Sequence, residues 1–175
     1  MAPSATTVFV ALLRAVNVGG TGKLAMSDLK AICDGLGFIG ARTYITSGNV
    51  VFRTAAGEVE VKAQLEAKLQ AHAGKPIGVV VRTDAELAAI LAANPFADLA
   101  ANRSVAIFLD AAPPADAIDR ATGRASEQIV AGLRELYVHY GDGMRDTKLV
   151  IPAARAGTAR NMNTIAKLVA MAAAA

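Results

Sequence analysis

The chain has 175 residues and a net charge of +3; 54% of its residues are hydrophobic and 19% are charged. A chain of this length and apolar content can bury a core, which excludes an intrinsically disordered protein. The small positive excess does not by itself indicate nucleic-acid binding. Cys33 is the single cysteine, so an internal disulfide framework is excluded and a reducing compartment is expected.

The sequence predicts no export signal, membrane span or metal site. The N-terminal residues lack the basic start and apolar run of a signal peptide. No apolar stretch reaches the about 20 residues that a membrane-spanning helix needs. His72 and His139 have no Cys or His neighbour at ligand spacing. We therefore expect a cytoplasmic protein with no membrane contact, no metal and no cofactor.

The first half of the chain predicts a β-α-β-β-α-β order. Residues 8–16 are β-rich, and residues 8–13 place apolar side chains on both faces, which favours a central strand buried on both sides. Apolar spacing and turn residues predict the rest: a helix ending at 36, strands over 41–46 and 50–53, a helix over 58–72 and a strand over 77–81. This is the order of the ferredoxin-like, or split βαβ, unit.

The second half predicts a similar order. The capping box from Thr83 to Glu86 predicts the start of a short helix, and Asn94-Pro95 predicts its end. Then follow a strand over 104–109, a helix opened by Pro113-Pro114, a hairpin over 127–140 and a helix over 161–172. We predict an α+β fold of two ferredoxin-like subdomains in tandem, with mixed, mostly antiparallel sheets. Residues 1–94 form the first subdomain with its connecting helix, and residues 95–175 form the second.

A glycine-rich loop over 17–23 lies between the first strand and the first helix and invites nucleotide-binding interpretations. Gly22-Lys23 matches the end of a Walker A motif, but Asn17 stands at its first glycine position and Leu24 at its hydroxyl position. A G-x-G-x-x-A pattern begins at Gly20, but the antiparallel strand order contradicts a dinucleotide-binding fold. The loop is therefore either a simple surface turn or a binding loop of another kind.

Three further polar segments follow predicted strands or open a predicted helix. They are the turn 44–49, the basic stretch 145–149 and the segment 158–164. The last is predicted to open the final helix, so its unpaired N–H groups and the Arg160 guanidinium could hold an anion. The alternative for this segment is an ordinary helix N-cap with solvated charges.

These motifs together resemble a known bacterial family, catalogued as domain of unknown function 1697. The resemblance is carried by residues 12–20, 42–52, 94–96 and 158–164. The family usually reads R-G-I-N-V-G-G where this chain has Ala15 and Val16, and it usually has an aromatic residue where Met162 stands. The resemblance implies a two-part α+β fold with ferredoxin-like halves, and it implies no activity.

The favoured functional hypothesis is a binding module for an anionic ligand: a nucleotide, a phosphate or a nucleic-acid backbone. Two alternatives stay open, namely an enzyme of unknown reaction that uses the same cluster, and a structural protein that forms a homodimer. No catalytic residue is assigned. The predicted ligand-binding residues are Arg14, Asn17, Gly19, Gly20, Ser47, Asn49, Lys148, Arg160, Asn161 and Asn163, with Lys23 and Lys167 adding charge.

Overall fold

A computed structural model of the chain describes residues 4–19 and 23–175. The chain divides into two compact units, Met1–Ala88 with Leu168–Ala175, and Ala89–Lys167. The described residues form two four-stranded antiparallel sheets and four α-helices, which confirms the predicted α+β class. Every strand pair among them is antiparallel, so the expected parallel component of the sheets is wrong. The predicted subdomain limits, 1–94 and 95–175, stay a prediction.

The first unit has the predicted element order. Its elements are β1 (Thr7–Leu13), α1 (Met26–Gly35), β2 (Ile39–Tyr44), β3 (Asn49–Thr54), α2 (Glu58–Ala73) and β4 (Val79–Thr83). Its sheet has the strand order β2-β3-β1-β4, so β1 lies between β3 and β4. The helix α3 (Asp84–Ala92) follows, and the predicted capping box at its start is confirmed: the N–H of Glu86 donates to Thr83 Oγ1 at 3.1 Å, and the N–H of Thr83 donates to Glu86 Oε1 at 3.0 Å.

Strand β1 is buried on both faces, as its unbroken apolar sequence predicts. Phe9, Ala11 and Leu13 belong to the core that also contains the buried residues of α1 and α2. On the opposite face, Val10 and Leu12 are at most 1% exposed. Burial of this much apolar area is the main source of stability for the sheet. The C-terminal end of β1 is therefore held by packing on both sides.

The second unit contains β5 (Ser104–Phe108), β6 (Gln128–Ala131), β7 (Glu135–His139) and β8 (Thr158–Asn161), in the sheet order β6-β7-β5-β8. The last helix, α4 (Met162–Ala173), begins directly after β8. Short 3-10 helices cover Ala101–Arg103 and Pro152–Ala154. The hairpin predicted over 127–140 is confirmed by the pairing of β6 with β7.

The α-helix predicted after Pro113-Pro114 is wrong. Residues 115–120 form turns instead, in which the N–H of Ala117 donates to Pro114 O at 3.0 Å. Ala117 is the one buried side chain in that stretch of the chain. An isolated helix of this length is marginal without a buried apolar stripe, so local propensity did not decide the structure here.

The final helix predicted over 161–172 is present as α4, but the expectation that residues from 158 open it with unpaired N–H groups is wrong, because residues 158–161 form strand β8. Thr158 and Arg160 are buried while Ala159 between them is exposed, which is the two-residue period of a strand. Backbone groups of this segment pair with β5, opposite Phe108 and Ala106. The helix begins four residues later, where Asn161 Oδ1 accepts the N–H of Thr164 at 2.9 Å and acts as the N-cap.

A cationic cleft at the end of strand β1

The chain leaves β1 in an unusual backbone conformation. Ala15, Asn17 and Gly19 have φ angles of 54°, 55° and 50°, so the sign of φ alternates from residue 15 to residue 19. Left-handed conformations are disfavoured for residues with a Cβ atom. Alternating left- and right-handed residues can direct successive N–H groups to one side, which is how backbone nests bind anions. Gly20, another predicted ligand residue, lies outside the described residues.

The side chain of Asn17 connects the two ends of the glycine-rich loop over 17–23, which we call the first loop. Its Oδ1 accepts the N–H of Leu24 at 2.7 Å, and its Nδ2 donates to Leu24 O and Thr46 O, each at 2.8 Å. Both amide hydrogens of Asn17 are thus used within the protein. Asn17 joins the two ends of the loop and ties them to the turn between β2 and β3.

That turn, residues 45–48, docks on the end of β1. The N–H of Leu13 donates to Gly48 O at 2.8 Å. Asn49, which has no exposed area, donates from Nδ2 to Tyr44 O and to Ser47 Oγ, both at 2.9 Å. The first loop and the Ser47 turn therefore meet, but Asn49 and Ser47 hydrogen-bond within the turn. Contact of these two side chains with a ligand stays a prediction.

Beside this junction lies an open cleft with a cavity volume of about 410 Å³. Arg14, Lys23, Lys75 and His72 contribute its polar side chains, and all four are exposed. Its apolar lining consists of Ala15, Val16, Leu24, Ala73, Pro76 and Ile77, with Gly78 completing the wall. No carboxylate occurs among the described lining residues. His72 contacts one carboxylate from outside the lining, with Nε2 3.6 Å from Asp28 Oδ2.

The backbone explains why these distant segments meet. Helix α2 ends at Ala73, and the φ of 74° at the following Gly74 reverses the chain direction. The N–H of Arg14 then donates to Gly78 O at 2.9 Å, which extends the β1–β4 pairing beyond the strands. In the described part of the chain, the N–H groups of Ala15 and Val16 have no acceptor. Both residues line the cleft.

The remaining predicted ligand residues belong to the second unit. Arg160 is 6% exposed and donates from Nη1 to Thr158 Oγ1 at 2.7 Å and to Ala159 O at 2.9 Å. Burial lowers the pKa of its guanidinium to about 10. Asn161 caps α4, whereas Lys148 and Asn163 are exposed. Whether these residues share a ligand with the first unit stays a prediction.

His72 and Lys75 were missed as site residues by sequence reasoning. They lie far from Arg14 in sequence and come next to it through the antiparallel pairing of β1 with β4. The sequence did contain a signal for Lys75, because this cation directly follows Gly74 at the end of a predicted helix. Chain segments that leave neighbouring strands at one sheet end are the usual positions of binding residues.

The conformation of Ala15 leads to a stability prediction. We expect Ala15→Gly to raise the free energy of unfolding by about 1 kcal/mol, because glycine adopts a φ of 54° without the cost of a Cβ atom. Ala15 is exposed, so little packing is lost. Urea denaturation measures the change. Ala15→Val is the control and is expected to destabilise the protein; an unchanged or lower stability in Ala15→Gly contradicts the prediction.

The fold and the cleft define a two-unit α+β protein whose first unit carries a cation-lined cleft at the end of its central strand. Residues 6–137 match the family described as Protein of unknown function (DUF1697), and the chain belongs to that family. The predicted resemblance is thereby confirmed. The glycine that the family resemblance implies at position 15 would adopt the left-handed conformation of Ala15 without strain.

A solved structure has the same fold. It is described as the structure of conserved bacterial protein SP0830 from Streptococcus pneumoniae, and it aligns with a TM-score of 0.77 at 22% sequence identity. The alignment covers 96% of this chain and 99% of that chain. No curated protein matches the sequence. Among the described residues, no helix is both long and apolar enough to cross a membrane.

Proposed function

We propose that this protein is a binding module for a small oxyanion of the phosphate type, held in the cleft at the end of β1. One observation carries the proposal: Arg14, Lys23 and Lys75 line a single cleft whose described lining contains no carboxylate. Arginine and lysine side chains with backbone N–H groups are the usual partners of phosphate oxygens.

The electrostatic balance favours an anion in this cleft. The three cations are exposed to solvent, where a cation about 4 Å from an anion contributes about 1 kcal/mol. The C-terminal end of α2, at Ala73, also lines the cleft, and its dipole opposes an anion by about 0.3–1 kcal/mol. Three cationic side chains outweigh that opposition. The N–H groups of Ala15 and Val16 would add directional hydrogen bonds.

Binding of a small anion is better supported than catalysis or nucleic-acid binding. The described lining has His72 as a candidate base but no Ser, Thr, Cys or Tyr to act as its nucleophile. The volume of about 410 Å³ is in the range of small-molecule pockets, about 300–1,000 Å³. The aromatic residues that stack nucleic-acid bases are also absent from the described lining.

We also infer that both units are ferredoxin-like halves, as the family resemblance implies. In each sheet the strands lie in the order fourth, first, third, second when numbered within their unit. The first unit has helices α1 and α2 between these strands, whereas the second has turns and loops at the equivalent places. The shared strand order is what supports a duplicated architecture.

Calorimetric titration with inorganic phosphate tests the proposed function. We expect Arg14→Gln and Lys75→Gln each to weaken binding about tenfold, since each removes a charge from the cleft. Raising the salt concentration should weaken binding of the unmodified protein.

The matched control is Lys30→Gln. It removes the same charge from the first unit, at a side chain that is 52% exposed, pairs with Asp34 and does not line the cleft. Absence of phosphate binding at low salt, or equal weakening in Lys30→Gln, overturns the proposal. Lys148→Gln and Asn163→Ala test the wider hypothesis: weakening there would bring the second unit into the site.

A further inference from the structure

The three cations of the cleft share a local arrangement. In each of three segments, an exposed cation is followed at once by apolar lining residues, of which one is buried. Arg14 precedes Ala15 and Val16, Lys23 precedes Leu24, and Lys75 precedes Pro76 and Ile77. Val16, Leu24 and Ile77 are 5%, 5% and 7% exposed.

This pattern gives the cleft two kinds of lining. We call the exposed cations Arg14, Lys23 and Lys75 its rim. We call its apolar lining the floor, which consists of the exposed Ala15, Ala73 and Pro76 and the small exposed edges of the core residues Val16, Leu24 and Ile77. Hydrated cations at a rim retain most of their contact with water, whereas water against an apolar floor is released favourably when a ligand covers it. A ligand that pairs with the cations and also covers the apolar lining must carry its charge at one end.

The volume of the cleft agrees with such a ligand. At about 410 Å³ it is far larger than an inorganic phosphate ion needs. Inorganic phosphate at the rim would leave the apolar floor in contact with water. A larger ligand would cover Pro76 and the exposed edges of Leu24 and Ile77 while its phosphate stayed beside Arg14 and Lys75.

We infer that the natural ligand class is an organic monophosphate with an apolar body, which enters the cleft body first and leaves its phosphoryl group at the cationic rim. The inference rests on the proposed function and adds to it the nature of the non-phosphate part. No covalent step is implied; the site binds the molecule intact.

Three probes with the same head group test this inference on the full chain. Inorganic phosphate has no body, glycerol 3-phosphate has a polar body, and phenyl phosphate has an apolar one. We expect phenyl phosphate to bind at least about tenfold more tightly than the other two, because only its ring buries apolar area on the floor.

Two variants locate the apolar contact. Ile77→Thr changes the floor and keeps the branched shape of the side chain; Pro76→Ser changes an exposed floor residue and does not endanger the core. Each is expected to reduce the preference for phenyl phosphate at least threefold and to leave the affinity for inorganic phosphate unchanged. Arg14→Gln should instead weaken all three probes alike.

The outcomes separate the inference from the proposed function. Equal affinity for all three probes overturns the inference and leaves oxyanion binding intact. A preference for phenyl phosphate that survives both Pro76→Ser and Ile77→Thr also overturns it, because the ring would then lie elsewhere. Failure of every probe to bind at low salt removes the proposed function, and the inference with it.

Discussion

Replacement of Asn17 by alanine is expected to lower the free energy of unfolding by about 3 kcal/mol. The substitution removes three hydrogen bonds, to the N–H and O of Leu24 and to Thr46 O, each of which contributes about 1 kcal/mol. It also places alanine at a φ of 55°, which asparagine tolerates better. Guanidinium denaturation measures the loss.

Asn17→Asp tests whether stability depends on the hydrogen-bond donors of the Asn17 side chain or only on its shape. A carboxylate can still accept the N–H of Leu24, but it cannot donate to Leu24 O or Thr46 O and would repel both oxygens. We therefore expect a loss close to that of Asn17→Ala. Asn163→Ala is the control: Asn163 is exposed in the first turn of α4, and its removal should change stability by less than about 0.5 kcal/mol.

A stability of Asn17→Ala within about 0.5 kcal/mol of the unmodified protein would contradict this role. Asn17 would then be available to a ligand, as its polar character first suggested. Loss of a residue that positions the loop and loss of a residue that contacts phosphate would both weaken the binding of phosphate and phenyl phosphate. The stability of the variants therefore distinguishes the two roles.

The part of the fold that sequence predicted well is the part governed by local burial patterns. The apolar run of β1 indicated a strand buried on both faces, and Val10 and Ala11 on its two faces are both fully buried. The capping box at Thr83 could be predicted because its hydrogen bonds join residues only three positions apart. Here local preference and tertiary packing agree.

Prediction failed where local preference lacked tertiary support. Residues after Pro113-Pro114 favour a helix, but only Ala117 is fully buried among residues 115–120, and these residues form turns. Thr158 and Arg160 look like helix-start residues, but β5 offers them a backbone ladder and they complete the sheet. No feature of the segment itself reveals that partner strand.

Only part of the candidate site could be predicted from the sequence, for a related reason. Arg14 and the Ser47 turn were identified from motifs at strand ends, and the hydrogen bond from Leu13 to Gly48 brings them together. Lys75 enters the same cleft through the long-range contact of Arg14 with Gly78. A sequence pattern also does not tell whether Asn17 contacts a ligand or the backbone, since both uses need the same amide.

Replacement of Gly48 by alanine is expected to lower the free energy of unfolding by about 3 kcal/mol. Gly48 has a φ of 89°, which costs a residue with a Cβ about 1–2 kcal/mol. An added Cβ would also lie 2.8 Å from both Leu13 Cβ and Val16 Cγ2, and overpacking of this kind costs about 1–3 kcal/mol. Denaturant unfolding measures the sum.

Gly40→Ala separates the two costs. Gly40 has a φ of 65° with no atom within 4 Å of its added Cβ, so we expect only the backbone cost of about 1 kcal/mol. The difference between the two variants measures how firmly the turn packs on Leu13 and Val16. Equal losses would mean that the turn moves away from β1 at little cost. Because Val16 also forms part of the cleft floor, Gly48→Ala should in addition weaken phenyl phosphate binding, while Gly40→Ala should not.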